Sequence, residues 1–229
     1  MLILALDTAG ENCAVALAEF GDGLSVLARR CEAVGRGHAE RLMPMIGEAL
    51  AEAGMAYGDL ARIAVTTGPG SFTGTRIGVA AARGLALALA IPAVGVSVLD
   101  ALIEAAQAET DDLVVAALDA RRAEIYAKAV MPGGTIALEA QVTTAAALAQ
   151  AIAGLNGEPV TLAGSAAAGV AQMLGEAGIV AAVAGEAACA DIVTVAALAA
   201  LGDTISPPVP FYLRAPDAKP QTGMAVARK

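Results

Sequence analysis

Apolar residues recur along this chain with two periods, and the periods predict its secondary structure. Short apolar or alternating runs predict strands, and apolar positions three or four residues apart predict helices. The first series of predicted elements is strands at 2–7, 13–18 and 24–30, helix 38–53, strand 62–66, helix 73–90, strand 93–96 and helix 97–108. The second series is strands at 113–119, 123–131 and 135–140, helix 144–153, strand 160–163, helix 165–177, strand 179–183 and helix 191–201. Both series read as three strands followed by helix, strand, helix, strand, helix.

The two series also align at their first strands, where Ile3–Asp7 matches Val115–Asp119. The repeat predicts an α/β protein of two related halves, each with three antiparallel strands followed by crossover helices. We expect an N-terminal half at 1–108 and a C-terminal half at 109–205. Prolines occupy positions 207, 208, 210, 216 and 220, so we expect residues 206–229 to form a tail that lies across the surface and frays after Arg214.

Small residues occupy every fourth position of the predicted helix 73–90 and of the turn before it. They are Gly70, Gly74, Gly78, Ala82, Ala86 and Ala90. Glycine inside a helix costs about 1 kcal/mol relative to alanine, so this stripe indicates that another backbone comes very close. A phosphate cradle at the helix N-terminus, an internal packing groove and a helix face for a partner protein all fit it. A P-loop does not, because the stretch lacks Gly-Lys-Ser/Thr.

The amino-acid composition argues against several classes of protein. Hydrophobic residues make up 57% of the chain and its mean hydropathy is +0.66, but the excess is mostly alanine and the apolar runs are too short for a bilayer. The N-terminus lacks the basic segment of a signal peptide. Cys13, Cys31 and Cys189 are only three and show no paired spacing, so we expect neither a disulfide framework nor a zinc site. We therefore expect a cytoplasmic protein without a membrane segment.

The net charge of −9 argues against a protein that grips nucleic acid by itself. The basic pairs at 29–30 and 121–122 are explained by solvated surface charge. Any contact with nucleic acid is therefore expected to be indirect, through a partner.

Five motifs spread from residue 2 to residue 214 carry a family resemblance. They are Leu4–Thr8, Gly37–Pro44, Gly68–Gly78, Ala117–Arg122 and Phe211–Arg214. With these motifs the chain resembles the TsaB (YeaZ) family, a glycoprotease-like branch of the actin, sugar-kinase and Hsp70 superfamily (ASKHA, ribonuclease H-like). The resemblance implies a non-catalytic partner of TsaD in making threonylcarbamoyladenosine at adenosine-37 of tRNA. It leaves open whether a TsaE-like ATPase also docks here.

The superfamily normally binds ATP between its halves, which makes Asp7, Thr8 and Asp119 the candidates for nucleotide contact. The residues after Asp119 are unsuited to a phosphate loop, because active members use glycine or small hydroxyl residues there. Arg121 could bind phosphate or bridge to an acid on the other half, and the salt bridge is the favoured interpretation.

A metal site is not predicted. TsaD carries two histidines four residues apart, and the matching positions here are Val98 and Leu102. The single histidine, His38, lies at the start of an apolar helical stripe, where packing or capping is more common than catalysis. We therefore expect no catalytic residue, no metal and no cofactor.

Two functional hypotheses remain. The first is a scaffold subunit that binds a TsaD-like protein through the helices at 38–53 and 73–90, or pairs with a second copy of itself when that partner is absent. The interface residues expected for it are His38, Leu42, Met45, Ala49, Gly74, Gly78 and Ala82. The alternative is a small nucleotide-dependent transferase or phosphohydrolase that uses the cleft between the halves.

Overall fold

The computed structural model describes residues 1–155, 157–202 and 206–214. The first series of elements is β1 (Leu2–Asp7), β2 (Asn12–Phe20), β3 (Leu24–Ala33), α1 (His38–Ala53), β4 (Arg62–Thr66), α2 (Phe72–Leu89), β5 (Ala93–Val96) and α3 (Val98–Gln107). The second is β6 (Leu113–Asp119), β7 (Ile125–Val130), β8 (Ile136–Thr143), α4 (Ala145–Ala153), β9 (Val160–Ala163), α5 (Ala167–Glu176), β10 (Ala181–Gly185) and α6 (Ile192–Leu201). Short 3-10 helices cover Tyr57–Asp59 and Pro132–Gly134.

The strands form two five-stranded sheets with matching topology. The first has the order β3-β2-β1-β4-β5, and the second has the order β10-β9-β6-β7-β8, which is the same order in reverse. In each sheet the central strand pairs antiparallel with the next strand in sequence and parallel with the first strand after a crossover helix. The predicted fold class is confirmed.

Strand β1 shows that helices cover the first sheet on both faces. All six of its residues are buried. Leu2, Leu4 and Leu6 belong to a core with α1 and α2, whereas Ile3 and Ala5 belong to a core with α3 and α6. An uninterrupted apolar run is typical of a strand with helices on both sides.

Two helices pack on the sheet of the opposite series. Helix α3 follows β5 but contacts β6, β7 and β9, and α6 follows β10 but contacts β1, β2 and β4. The central core lies between the two sheets and is shared by both. The domain boundary at residues 108–109 remains a prediction.

Within the described residues, no helix is both long enough and apolar enough to cross a membrane.

Candidate functional site

The first candidate loop follows β1, and its carboxylate is buried. Thr66 Oγ1 donates to Asp7 Oδ1 at 2.5 Å and the Ala9 N–H donates to the same oxygen at 2.9 Å. Asp7 Oδ2 has no hydrogen-bond partner among the described residues. Burial raises the pKa of Asp7, and the bonds from Thr66 and Ala9 offset that rise in part.

Helix α2 lies directly against this loop. A Cβ on Gly74 would stand 2.0 Å from the Thr8 carbonyl oxygen, and one on Gly78 would stand 2.5 Å from Thr8 Oγ1. The Thr8 hydroxyl donates to the Gly74 carbonyl at 2.7 Å, and the Ser71 N–H donates to the Ala9 carbonyl at 2.7 Å. The small-residue stripe is therefore an internal packing groove, the second of the three interpretations.

The second candidate loop follows β6 and is more open. Asp119 is exposed, its N–H donates to Ser165 Oγ at 3.0 Å, and its Oδ1 accepts from the Arg121 N–H at 2.7 Å. Residues 121–123 all have positive φ, at 63°, 57° and 60°. This left-handed turn delays β7, which begins at Ile125 and not at residue 123 as predicted.

The expected salt bridge from Arg121 to the other half is not found among the described residues. Ion pairs that join the two series are formed by other residues. Arg29 lies 3.3 Å from Asp191, and Lys128 lies 2.5 Å from Asp100. Sequence order cannot reveal these pairs, because they depend on where α3 and α6 pack.

The segment 206–214, here called the strap, runs from the end of β4 to the second candidate loop. The Phe211 N–H donates to the Thr67 carbonyl at 2.7 Å. The hydroxyl of Tyr212 accepts from Arg76 Nε at 2.7 Å, and the Arg76 guanidinium lies 3.6 Å from the centre of the Phe72 ring. Arg214 donates to the Ala120 carbonyl at 3.1 Å and pairs with Glu124.

The strap thus lies across the surface without regular secondary structure, as the sequence predicts. The predicted fraying after Arg214 lies outside the described residues.

The positions that match metal ligands lie in the core. Val98 and Leu102 are buried between the sheets with α6. In the part of the chain that the structure describes, no group of three His, Cys, Asp or Glu side chains could hold a metal ion. His38 is buried at the first position of α1, and its Nε2 has no hydrogen-bond partner among the described residues.

The seven residues predicted for a partner interface are all buried within the chain. They are His38, Leu42, Met45, Ala49, Gly74, Gly78 and Ala82. The expectation that these residues form an exposed outer face is therefore wrong. Their helical periodicity marks the side of α1 and α2 that packs on the first sheet, and a partner could contact only the opposite side.

The opposite side of α1 and α2 is partly apolar. Its exposed residues include Met43, Pro44 and Ala51 on α1, and Phe72, Ala80, Gly84, Leu87 and Ala88 on α2. Leu87 is 85% exposed and Met43 is 43% exposed. The sequence could have indicated these exposed residues, because large apolar residues that lie outside the buried stripe of a helix do not face its own core.

Arg41 lies on α1 at the edge of this surface that adjoins β3. It pairs with Glu32 on β3 at 2.5 Å and with Glu48 on α1 at 2.7 Å, and these bonds lower the pKa of both carboxyl groups. The network ties the outer side of α1 to the edge strand.

Comparison with known proteins gives the family. The family model described as "TsaD: tRNA N6-adenosine threonylcarbamoyltransferase" matches residues 31–219. The chain is 42% identical over 127 residues to the tRNA threonylcarbamoyladenosine biosynthesis protein TsaB of Escherichia coli (strain K12), covering 55% of this chain and 53% of that protein. The chain thus spans about half the length of the TsaB relatives from Escherichia coli and Haemophilus influenzae. An uncharacterised protein of Mycobacterium tuberculosis (strain ATCC 25618 / H37Rv) is 36% identical over 218 residues, or 95% of this chain and 94% of that protein.

Solved structures agree with the sequence matches. YeaZ from Pseudomonas aeruginosa superposes with a TM-score of 0.69 at 30% identity, covering 88% of this chain and 92% of that chain. The ROK hexokinase of Thermus thermophilus, with a TM-score of 0.53 at 16% identity, shares the fold alone. On these matches, the chain belongs to the TsaB/YeaZ family.

Proposed function

We propose that this chain is a non-catalytic subunit of the machinery that makes threonylcarbamoyladenosine in tRNA. In this role it docks a TsaD-like catalytic subunit through the exposed sides of α1 and α2. Its relatives include TsaB proteins of tRNA threonylcarbamoyladenosine biosynthesis, and this supports the assignment to that pathway.

The packing of α2 against the loop after β1 is the observation that carries the proposal. A phosphate at a helix N-terminus needs free N–H groups and open space in front of them. Here the Gly74 N–H donates to Ser71 Oγ at 3.1 Å and the Thr75 N–H donates to the Ser71 carbonyl at 2.9 Å. Thr8 fills the space beside them. Nucleotide chemistry at this loop would require α2 to move away from β1.

The proposed partner surface is chosen from the residues of α1 and α2 that are exposed to solvent. Helices α1 and α2 contact each other on one face of the first sheet, so their outer sides adjoin. Exposed apolar residues on neighbouring helices are the kind of surface that a partner covers, and a few well-packed side chains usually dominate such an interface. A second copy of the chain would use the same surface when the catalytic subunit is absent.

Contact with tRNA is assigned mainly to the catalytic subunit. The chain carries 14 basic and 23 acidic residues, which disfavours an independent hold on a polyanion.

The experiment is a binding measurement with a matched control. Met43→Glu and Leu87→Glu place a charge on the proposed surface without touching the core, and each should weaken association with the TsaD-like subunit by about tenfold or more. Val180→Glu makes the same change at a site that is 92% exposed, in the second series, and should bind like the parent. Sedimentation velocity measures both association and self-association.

Unchanged binding by both surface variants would overturn the proposed interface. Isothermal titration with ATP and Mg²⁺ tests the alternative function separately. Saturable binding of ATP by the purified chain would favour the nucleotide-dependent transferase or phosphohydrolase.

A further inference from the structure

Two of the three cysteines lie on the same face of the first sheet, where α6 packs. Cys31 on β3 is directly opposite Ala14 on β2. Ala14 belongs to the central core together with Ala190, and Cys189 is the residue before Ala190. Residues paired across antiparallel strands share a face, so Cys31 and the Cys189 segment meet the same patch of β2.

Neighbouring contacts fix where Cys189 lies along this patch. Asn12 Nδ2 donates to Cys189 Sγ at 3.4 Å, and Asn12 is opposite Ala33, two residues from Cys31. Opposed side chains in such a pair are about 5 Å apart at Cβ and diagonal ones are about 7 to 8 Å apart. Asn12 and Cys31 are therefore diagonal neighbours, with Cβ atoms about 7 to 8 Å apart.

A second contact lies on the other side of Cys31 along β3. Arg29 on β3 pairs with Asp191 at 3.3 Å. The segment from Cys189 to Asp191 therefore runs from Asn12, which is opposite Ala33, to Arg29, and Cys31 is between these two levels of β3. Residues 186–190 have no regular secondary structure, so the segment can adjust without breaking a helix or a strand.

The two thiols differ in exposure. Cys31 is exposed and Cys189 is partly buried. Burial raises the pKa of Cys189, and the nearby Asp7 and Cys31 add to the rise. Cys13 is on the opposite face of β2, fully buried, and its pKa is raised to about 11 by burial. An oxidant therefore meets Cys31 first, and Cys13 is a built-in unreactive reference.

We propose that Cys31 and Cys189 form a reversible disulfide under oxidation by a peroxide. The Cys31 thiolate attacks the peroxide oxygen and becomes a sulfenic acid, with release of one water from hydrogen peroxide. The Cys189 sulfur then displaces hydroxide from the Cys31 sulfur, forming the S–S bond and releasing a second water. Two electrons pass from the two thiols to the peroxide in total.

The disulfide would join the edge strand of the first sheet to the segment that begins α6. Because α6 follows the strands of the second sheet, the bond would tie the two series together at the position of the Arg29–Asp191 ion pair. The proposal concerns this chain alone and goes beyond the proposed function, since it needs neither the catalytic subunit nor tRNA.

The test uses the purified chain with hydrogen peroxide, followed by alkylation of free thiols and peptide mass spectrometry under non-reducing conditions. The parent should lose two of its three free thiols, stay the same size and yield one peptide pair joined through Cys31 and Cys189. The disulfide closes a long loop, so the Tm should rise by about 10 °C and return on adding dithiothreitol.

Matched variants separate the proposal from general oxidation. Cys31→Ser and Cys189→Ser should each abolish the linked peptides and the rise in Tm, whereas Cys13→Ser should keep both. Linked peptides that join Cys31 of two copies would overturn the proposal. So would oxidation of Cys31 to sulfinic acid while Cys189 stays a free thiol.

Discussion

Gly74 and Gly78 lack side chains, and Thr8 occupies the space that this leaves. The glycine stripe is thus explained at the scale of single atoms, by the carbonyl and hydroxyl oxygens of one residue. The sequence predicted that a backbone approaches the stripe closely. It could not say which backbone, because Thr8 is 66 residues away along the chain.

The stripe gives a stability prediction with a control on the same helix. Gly74→Ala and Gly78→Ala should each lower the free energy of unfolding by about 1 to 3 kcal/mol, because the added methyl group overlaps Thr8. Gly84→Ala meets nothing within 4 Å and should raise the free energy of unfolding by about 1 kcal/mol through helix propensity. Urea denaturation measures all three. Equal effects at Gly78 and Gly84 would contradict the packing of α2 on Thr8.

Asp7 gives a prediction with a defined sign. Burial raises its pKa in the folded chain, so the folded state binds this proton more tightly than the unfolded chain does. Its contribution to stability is fully present below the ordinary carboxyl pKa and is lost as the pH rises through the raised pKa. The folded chain should therefore become less stable, on account of this group, as the pH increases.

Asp7→Asn removes this titration while keeping the oxygen that accepts from Thr66 and Ala9. We expect the unfolding free energy of the parent, minus that of the variant, to fall as the pH is raised from about 4 to about 8. Urea denaturation across this pH range measures the difference. A difference that stays constant or rises with pH would show that Asp7 is not destabilised by its burial.

At the scale of elements, the strap connects regions that are distant in sequence. It contacts the end of β4 through Phe211, α2 through Tyr212 and the loop after β6 through Arg214. Tyr212→Ala and Arg214→Ala should each lower the unfolding free energy by about 1 to 2 kcal/mol. Val209→Ala, at an exposed position of the same segment, should leave it unchanged within about 0.5 kcal/mol. Thermal denaturation measures this series, and equal Tm values would show that the strap contacts do not stabilise the fold.

Most elements could be predicted from the sequence because their apolar periods are long and their ends carry glycine, proline or capping residues. Helix α2, for example, begins at the Ser71 cap and ends before Pro92. The exchange of α3 and α6 between sheets could not be predicted, because both helices have an apolar side that would fit either sheet.

The partner interface was predicted on the buried side of α1 and α2 for a related physical reason. Leu42, Met45 and Ala49 form a regular apolar stripe, and such a stripe marks the side of a helix that faces its own core. The residues that break the stripe, Met43 and Leu87, are the ones left at the surface.

At the scale of the whole molecule, two sheets of the same topology surround a shared core, and each candidate loop follows one central strand. The loop after β1 is filled by α2, and the strap crosses from the end of β4 to the loop after β6. The filled loop after β1 and the exposed apolar residues on α1 and α2 are the features that support the proposed role as a partner subunit.

The most direct test is the rate at which a TsaD-like subunit threonylcarbamoylates tRNA in the presence of this chain. We predict that the double variant Asp7→Asn, Asp119→Asn supports the parent rate within about twofold, since neither carboxylate takes part in the reaction. Leu87→Glu should lower the rate by about tenfold at limiting chain concentration, because docking is weakened. A large loss with the carboxylate variant, together with full activity of Leu87→Glu, would contradict the scaffold role.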